Sequence, residues 1–200
     1  MNQNDKDEME PVSELSIFGQ LQGASGLAAS SAHCKWRITH GDSWALERGD
    51  GSGSSHTATT NENGAIVWSQ PVDAVLIGSD TGWPRFELEV RSRDEHDRSD
   101  LAGYAVVHVP PTPGLHHLRC PIWKPKGTKG DRIQAAFVGG GAALKDSATV
   151  FGTLAENGKE WVRGGFATVG TGLVYLQLNV CVRGLPARKR TEPRAAGQEE

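Results

Sequence analysis

Near the C-terminal end of the chain, Val174, Leu176, Leu178, Val180 and Val182 form one apolar row. Tyr175, Gln177, Asn179, Cys181 and Arg183 form the alternate row, which is mostly polar. Successive side chains of a strand point to opposite faces, so this spacing predicts a strand with one face on a core and one towards water. Burying five such side chains at about 1.5–3 kcal/mol each would make it a main source of stability. The same alternation recurs where Phe86, Leu88 and Val90 interleave with Glu87, Glu89 and Arg91. Further strand candidates lie at 16–23, 34–40, 65–69, 72–77, 103–109 and 115–120. Gly- and Pro-rich turns punctuate them, as at Gly82-Trp83-Pro84 and in the Pro110–Gly114 segment. Many short strands between turn signals predict an all-β sandwich or barrel. Only 131–138 reads as a helix, capped by Asp131 and ended by the glycines from Gly139. The Gly-, Ser- and Thr-rich stretch 48–63 reads as a long mobile loop or as an insertion between strands.

Two hundred residues suit one domain with tails. Residues 1–14 are acidic and polar, and 185–200 are rich in Pro, Ala and charge, so both are expected to be disordered around a domain at 15–184. A net charge of −3 gives no overall field for nucleic acid, and any anion site must be a local patch. No stretch approaches the roughly 20 apolar residues of a membrane helix. The acidic start does not resemble a secretory or mitochondrial leader. Three widely spaced cysteines, Cys34, Cys120 and Cys181, suggest reduced cytosolic thiols.

No catalytic residue emerges. There is no Gly-x-Ser-x-Gly elbow to present a nucleophile, and the glycines 139–141 lack the Lys-Ser/Thr that ends a phosphate loop. His116, His117 and Cys120 look like metal ligands, but neighbouring strand residues face opposite ways, and His116 and Cys120 are about 13 Å apart at strand rise. One zinc ion cannot span that distance, so neither a metal nor any other cofactor is expected. The basic run Lys124, Lys126, Lys129 and Arg132 has two readings: a solvated loop, or a contact with anionic lipid. At roughly 1 kcal/mol per charge the second is weak alone and useful only within a multivalent assembly.

Several motifs occur in a fixed order. Gly19–Gly26 opens the first strand and Cys34-Lys35-Trp36 the second. Gly82-Trp83-Pro84, Gly103-Tyr104, His108-Val109-Pro110 and Pro113-Gly114 follow. Cys120-Pro121-Ile122-Trp123-Lys124-Pro125 and Phe137-Val138-Gly139 close the series. The set resembles the B9 domain family of the C2 superfamily across nearly the whole expected domain. The resemblance implies an eight-stranded, C2-like antiparallel sandwich, with the glycines, prolines and aromatics of these motifs, and His108, shaping the fold. It further implies a non-enzymatic scaffold at the ciliary transition zone and basal body, serving ciliogenesis and the barrier to membrane-protein diffusion. The implied partners are B9 domain-containing protein 1, the Meckel syndrome type 1 protein and members of a tectonic-like complex. Against the calcium-loop pattern of C2 domains, only Asp94 and Asp100 keep carboxylates, while Ser92, Ala32 and Gly26 stand where others are expected. Two carboxylates underligand a cation that takes six to eight oxygens, so micromolar calcium binding is not expected.

Overall fold

The computed structural model describes residues 13–79, 81–93, 99–126 and 167–184. These form ten strands: β1 (Ser13–Ser25), β2 (Ser31–Thr39), β3 (Trp44–Gly49), β4 (Ser52–Ser54), β5 (Ala58–Thr59), β6 (Ala65–Gly78), β7 (Arg85–Arg93), β8 (Ser99–His108), β9 (Gly114–Pro125) and β10 (Thr168–Arg183). The helix expected over 131–138 and the tail after residue 184 lie outside the described residues. So does most of the N-terminal tail, although Ser13 and Glu14 already belong to β1.

All pairings are antiparallel, in the order β3-β6-β1-β10-β9-β8-β7-β2-β4, with β5 also on β2. The sheet curls so that its two halves face each other across one core. Trp68 of β6 spans the gap, donating its indole N–H to the carbonyl of Ala32 on β2 at 2.9 Å. At the other side, the Thr171 hydroxyl of β10 donates to the carbonyl of Ala102 on β8 at 2.9 Å. Between these ties, Leu15, Ile17, Leu76, Phe86, Leu88 and Leu178 are sealed from water.

The two halves of the sheet meet at a narrow seam. Among the described residues, β8 and β9 are paired at one position, Tyr104 opposite Trp123. Gly103 permits the approach: a Cβ there would lie 2.7 Å from the carbonyl oxygen of Trp123. Real Cβ contacts essentially never come so close, so a larger residue would push the halves apart.

The β10 alternation appears as expected: Val174, Leu176, Leu178 and Val180 are buried, and Val182 packs partly against them. Three expectations need correction. The sandwich has ten strands among the described residues rather than eight, because β4 and β5 add two ribbons of three and two residues. The stretch 48–63 is accordingly not one long loop. It is stitched to β2, with Ser52 opposite Arg37, Ala58 opposite Ala32, and Ser55 accepting the Cys34 amide on its hydroxyl at 3.0 Å. Gly53 lies against the buried Trp36 indole, where no side chain would fit. Small polar residues carry no apolar period, so no sequence signal marks these ribbons. Finally, 65–69 and 72–77 are one strand. Pro71 sits within it opposite Gln20. A bulge sets Gln22 of β1 against both Trp68 and Ser69, and Ser69 takes the positive φ of 48° that the extra residue requires.

Candidate interaction surface

One end of the sandwich is closed by two of the sequence motifs binding each other. Gly82 turns the chain into β7 with φ of 71°, its backbone against Gly41 in the β2–β3 connection, whose amide donates to the Gly82 carbonyl at 2.8 Å. Trp83 stands edge-on to Trp44 at 5.4 Å between ring centroids and donates its indole N–H to the carbonyl of Val109 at 2.7 Å. The Val109 amide returns a bond to the carbonyl of Pro84 at 3.2 Å, and Val109 itself is buried. The residues after Val109 turn into β9: Pro110 is half-buried, Pro113 and Gly114 are exposed, and His116 bonds the Thr112 carbonyl at 2.8 Å. At the seam, Tyr104 and Trp123 pack tilted at 5.7 Å, and with Leu101 they form a small apolar cluster separate from the main core. Phe137 and Gly139 lie outside the described residues.

The outward face of β2 and β7 is dense in charge. Glu87 is almost fully buried there. Its carboxylate accepts from Arg85 Nη2 at 2.7 Å, from the Thr39 hydroxyl at 2.9 Å and from Arg37 Nη2 at 2.6 Å. These bonds take the place of the water that the carboxylate gives up on burial. Further along, Arg91 pairs with Glu89 at 2.7 Å. His33 lies opposite Arg91. Partial burial lowers its pKa, and Lys35, Arg93 and Arg91 push the same way, against a smaller opposing pull from Glu89. At the far end of β8, partial shielding from water lowers the pKa of His108, helped by Arg85.

On the outward face of β6, β1, β10 and β9 charge stands towards the ends, with Arg119 opposite Tyr175 and Glu14 opposite Arg183, and the two rows between are nearly free of it. One cross-strand row runs Asp73, Phe18, Asn179, Leu115, and the next runs Pro71, Gln20, Gln177, His117. Asp73 is the one carboxylate in these rows, and neither holds a Lys or Arg. Phe18 is 44% exposed and Leu115 56% exposed. Gln177 accepts on its side-chain oxygen from Gln20 at 3.2 Å and from Gln22 at 3.1 Å, which fixes the amides between the apolar residues. Cys181, beside Ser16, carries the exposed thiol of the chain. Burial raises the thiol pKa of Cys34 and of Cys120, so both stay protonated; a bond from Cys120 to the Val106 carbonyl opposes the shift slightly.

The basic residues expected to meet lipid begin at the end of β9. Lys124 lies opposite Val169, which is 43% exposed, and the Lys126 amide donates to the Ala167 carbonyl at 2.8 Å. Lys129 and Arg132 lie outside the described residues, as does Asp94. Asp100 sits opposite Ser92 at the start of β8, and its carboxylate accepts the Leu101 amide at 2.8 Å. Ala32 is buried in β2. Among the described residues, no three His, Cys, Asp or Glu side chains converge as metal ligands.

Sequence reasoning passed over Phe18 and Leu115. Each is a single apolar residue, and only the pairing of β1, β10 and β9 places both in one row. The buried Glu87 network was missed because alternation assigns Arg and Glu to water.

Over residues 15–181 the chain matches a family model described as "Ciliary basal body-associated, B9 protein". It is 37% identical over 164 residues to mouse B9 domain-containing protein 2, an alignment covering 82% of this chain and 94% of the mouse protein. To mouse B9 domain-containing protein 1 it is 32% identical over 117 residues, 57% of each chain. Among solved structures, a C2 domain of plant extended synaptotagmin 1 superposes with a TM-score of 0.40 at 12% identity, covering 85% of this chain and 95% of that one. The chain belongs to the B9 domain family.

Proposed function

We propose that this chain is a non-enzymatic scaffold subunit of the ciliary transition zone. It binds sister B9 domains, those of B9 domain-containing protein 1 and the Meckel syndrome type 1 protein, and joins them to a tectonic-like complex. That assembly serves ciliogenesis and restrains membrane-protein diffusion between cilium and plasma membrane. The observation that carries the reading is the family match over nearly all of the sandwich, residues 15–181. Relatives of that length are named for the B9 domain alone, and mouse holds such domains in at least two separate proteins. The test is co-expression with the two sister proteins of the same organism, followed by size-exclusion chromatography with mass analysis. One stoichiometric co-eluting complex is expected. A monodisperse monomer indifferent to both partners would sink the scaffold reading.

A second activity, calcium-independent contact with anionic phospholipid, has one feature in its favour. Lys124 lies beside exposed Val169, a basic and an apolar group at one strand end. Vesicles of phosphatidylcholine with and without phosphatidylserine test it. Binding should fall with salt and with neutralisation of Lys124, Lys126, Lys129 and Arg132. Equal binding to both vesicle types would refute it.

A further inference from the structure

We infer that the sister B9 domain docks on the outward face of β6, β1, β10 and β9, with Phe18 at the centre of the contact. This rests on the scaffold reading and adds the surface to it.

The two outward faces of the sandwich are built for different surroundings. On β2 and β7, charged side chains follow one another and pair among themselves, as Arg37, Arg85 and Glu87 do. On the opposite face, Phe18 and Leu115 flank Asn179 in a row whose one carboxylate, Asp73, stands at its far end. Interface cores are marked by depletion of charge and by aromatic residues, with polar groups towards the rim. An exposed Phe in mid-strand is a poor fit to bulk water, and its own row offers no lysine or arginine to a lipid phosphate. It fits another protein surface.

Size points the same way. Four strands about 4.8 Å apart, crossed on this face by four full rows roughly 7 Å apart, give a patch of roughly 20 Å by 27 Å, which the rows of Ser16 and Glu14 extend on β6, β1 and β10. The four-strand part alone is about two-thirds of the ~800 Å² per partner of a standard stable interface. A sheet face of this extent is best matched by another sheet face, since two sheets stack by interleaving the side chains of their facing rows. The family supplies such a partner in a separate chain: mouse B9 domain-containing protein 1 aligns with this sandwich over 117 residues.

Two measurements on the full chain with its co-expressed sister proteins test the proposal. In the first, Phe18→Lys and Leu115→Lys are compared with Lys35→Glu on the opposite face. Both face variants should weaken the complex at least tenfold while their melting curves stay near that of the unmodified chain. Lys35→Glu should bind normally. The second needs no variant. Cys181 lies on the proposed face and is exposed, so its reaction with a maleimide should slow several-fold in the complex. If the complex forms yet Cys181 labels at its free rate and both lysine variants bind normally, the face is wrong and the scaffold reading stands. If the unmodified chain binds neither sister protein, the scaffold reading itself fails. If the chain alone dimerises and Phe18→Lys abolishes the dimer, the occupant is a second copy, and the assignment to a sister domain is overturned.

Discussion

The indole N–H of Trp83 donates to the carbonyl of Val109, and the amide of Val109 donates back to the carbonyl of Pro84. Two motifs some 25 residues apart are thereby locked as one corner, which Trp44 closes from the β3 side. Trp83→Ala removes the bond and the ring contact together. A loss of about 3 kcal/mol is expected, near the lower end for large aromatic truncations because Trp83 is only partly buried. Trp83→Phe keeps a ring and forfeits the hydrogen bond, for about 1 kcal/mol. Urea titration of both variants checks the order; equal losses would show that the bond contributes nothing.

Gly82 faces Gly41 with no room between them. A Cβ on Gly82 would lie 2.5 Å from the Cα of Gly41, and φ of 71° is unfavourable for any L side chain. Gly82→Ala should therefore cost about 2 kcal/mol or more, combining strain with displacement of the loop. A melting temperature within a degree of the unmodified chain would contradict the close approach.

Removing the Glu87 carboxylate affects a buried group with three donors around it. Glu87→Ala should destabilise by about 3–5 kcal/mol, the range for breaking a buried ion pair from one side. Arg37→Ala should cost far less, because Arg37 is half-exposed and screened by water. Chemical denaturation of both variants reads the difference, and comparable losses would mean that the half-exposed Arg37 carries most of the network.

Stability should fall on mild acidification. His33 and His108 have lowered pKa values in the folded chain, so the unfolded chain takes up protons first as pH drops below about 6.5. The associated stability is complete above that pH and is lost as pH falls towards the folded values. Melting temperature between pH 7.5 and 5.5 should decline, and His33→Gln with His108→Gln should flatten the decline. An unchanged slope in the double variant would assign it to other groups.

The three thiols should differ sharply in reactivity. Cys181 is exposed, whereas Cys34 and Cys120 are buried with raised pKa values. A disulfide reagent on the native chain should titrate one thiol quickly and three after denaturant. Fast reaction of a second thiol before unfolding would place Cys34 or Cys120 in reach of solvent.

What the sequence displayed was what periodicity can carry. The alternating rows of β7 and β10 were plain because each strand buries one face in a single apolar core. The ribbons of β4 and β5 were invisible because Gly53 and Ser55 stabilise them through backbone bonds and close approach to Trp36, not through apolar pattern. Pro71 split β6 into two candidates because a proline normally interrupts a ladder; the Ser69 bulge beside it absorbs the irregularity. The outward face escaped notice for a different reason. Phe18 and Leu115 are nearly a hundred residues apart, and only the completed ladder brings them into one row.

The kink at Ser69 and the ring of Pro71 also bear on how such domains associate. On the side of β6 away from β1, β3 covers Ala74–Gly78. Pro71, in the stretch beyond, has no N–H to offer an incoming strand, and the bend at Ser69 spoils the straight run of backbone that strand addition demands. Strand addition along that stretch of β6 is thereby disfavoured, and β3 and β4 stand as the outer strands of the sheet. A neighbour meeting that stretch of β6 must therefore do so through side chains and not through a shared ladder.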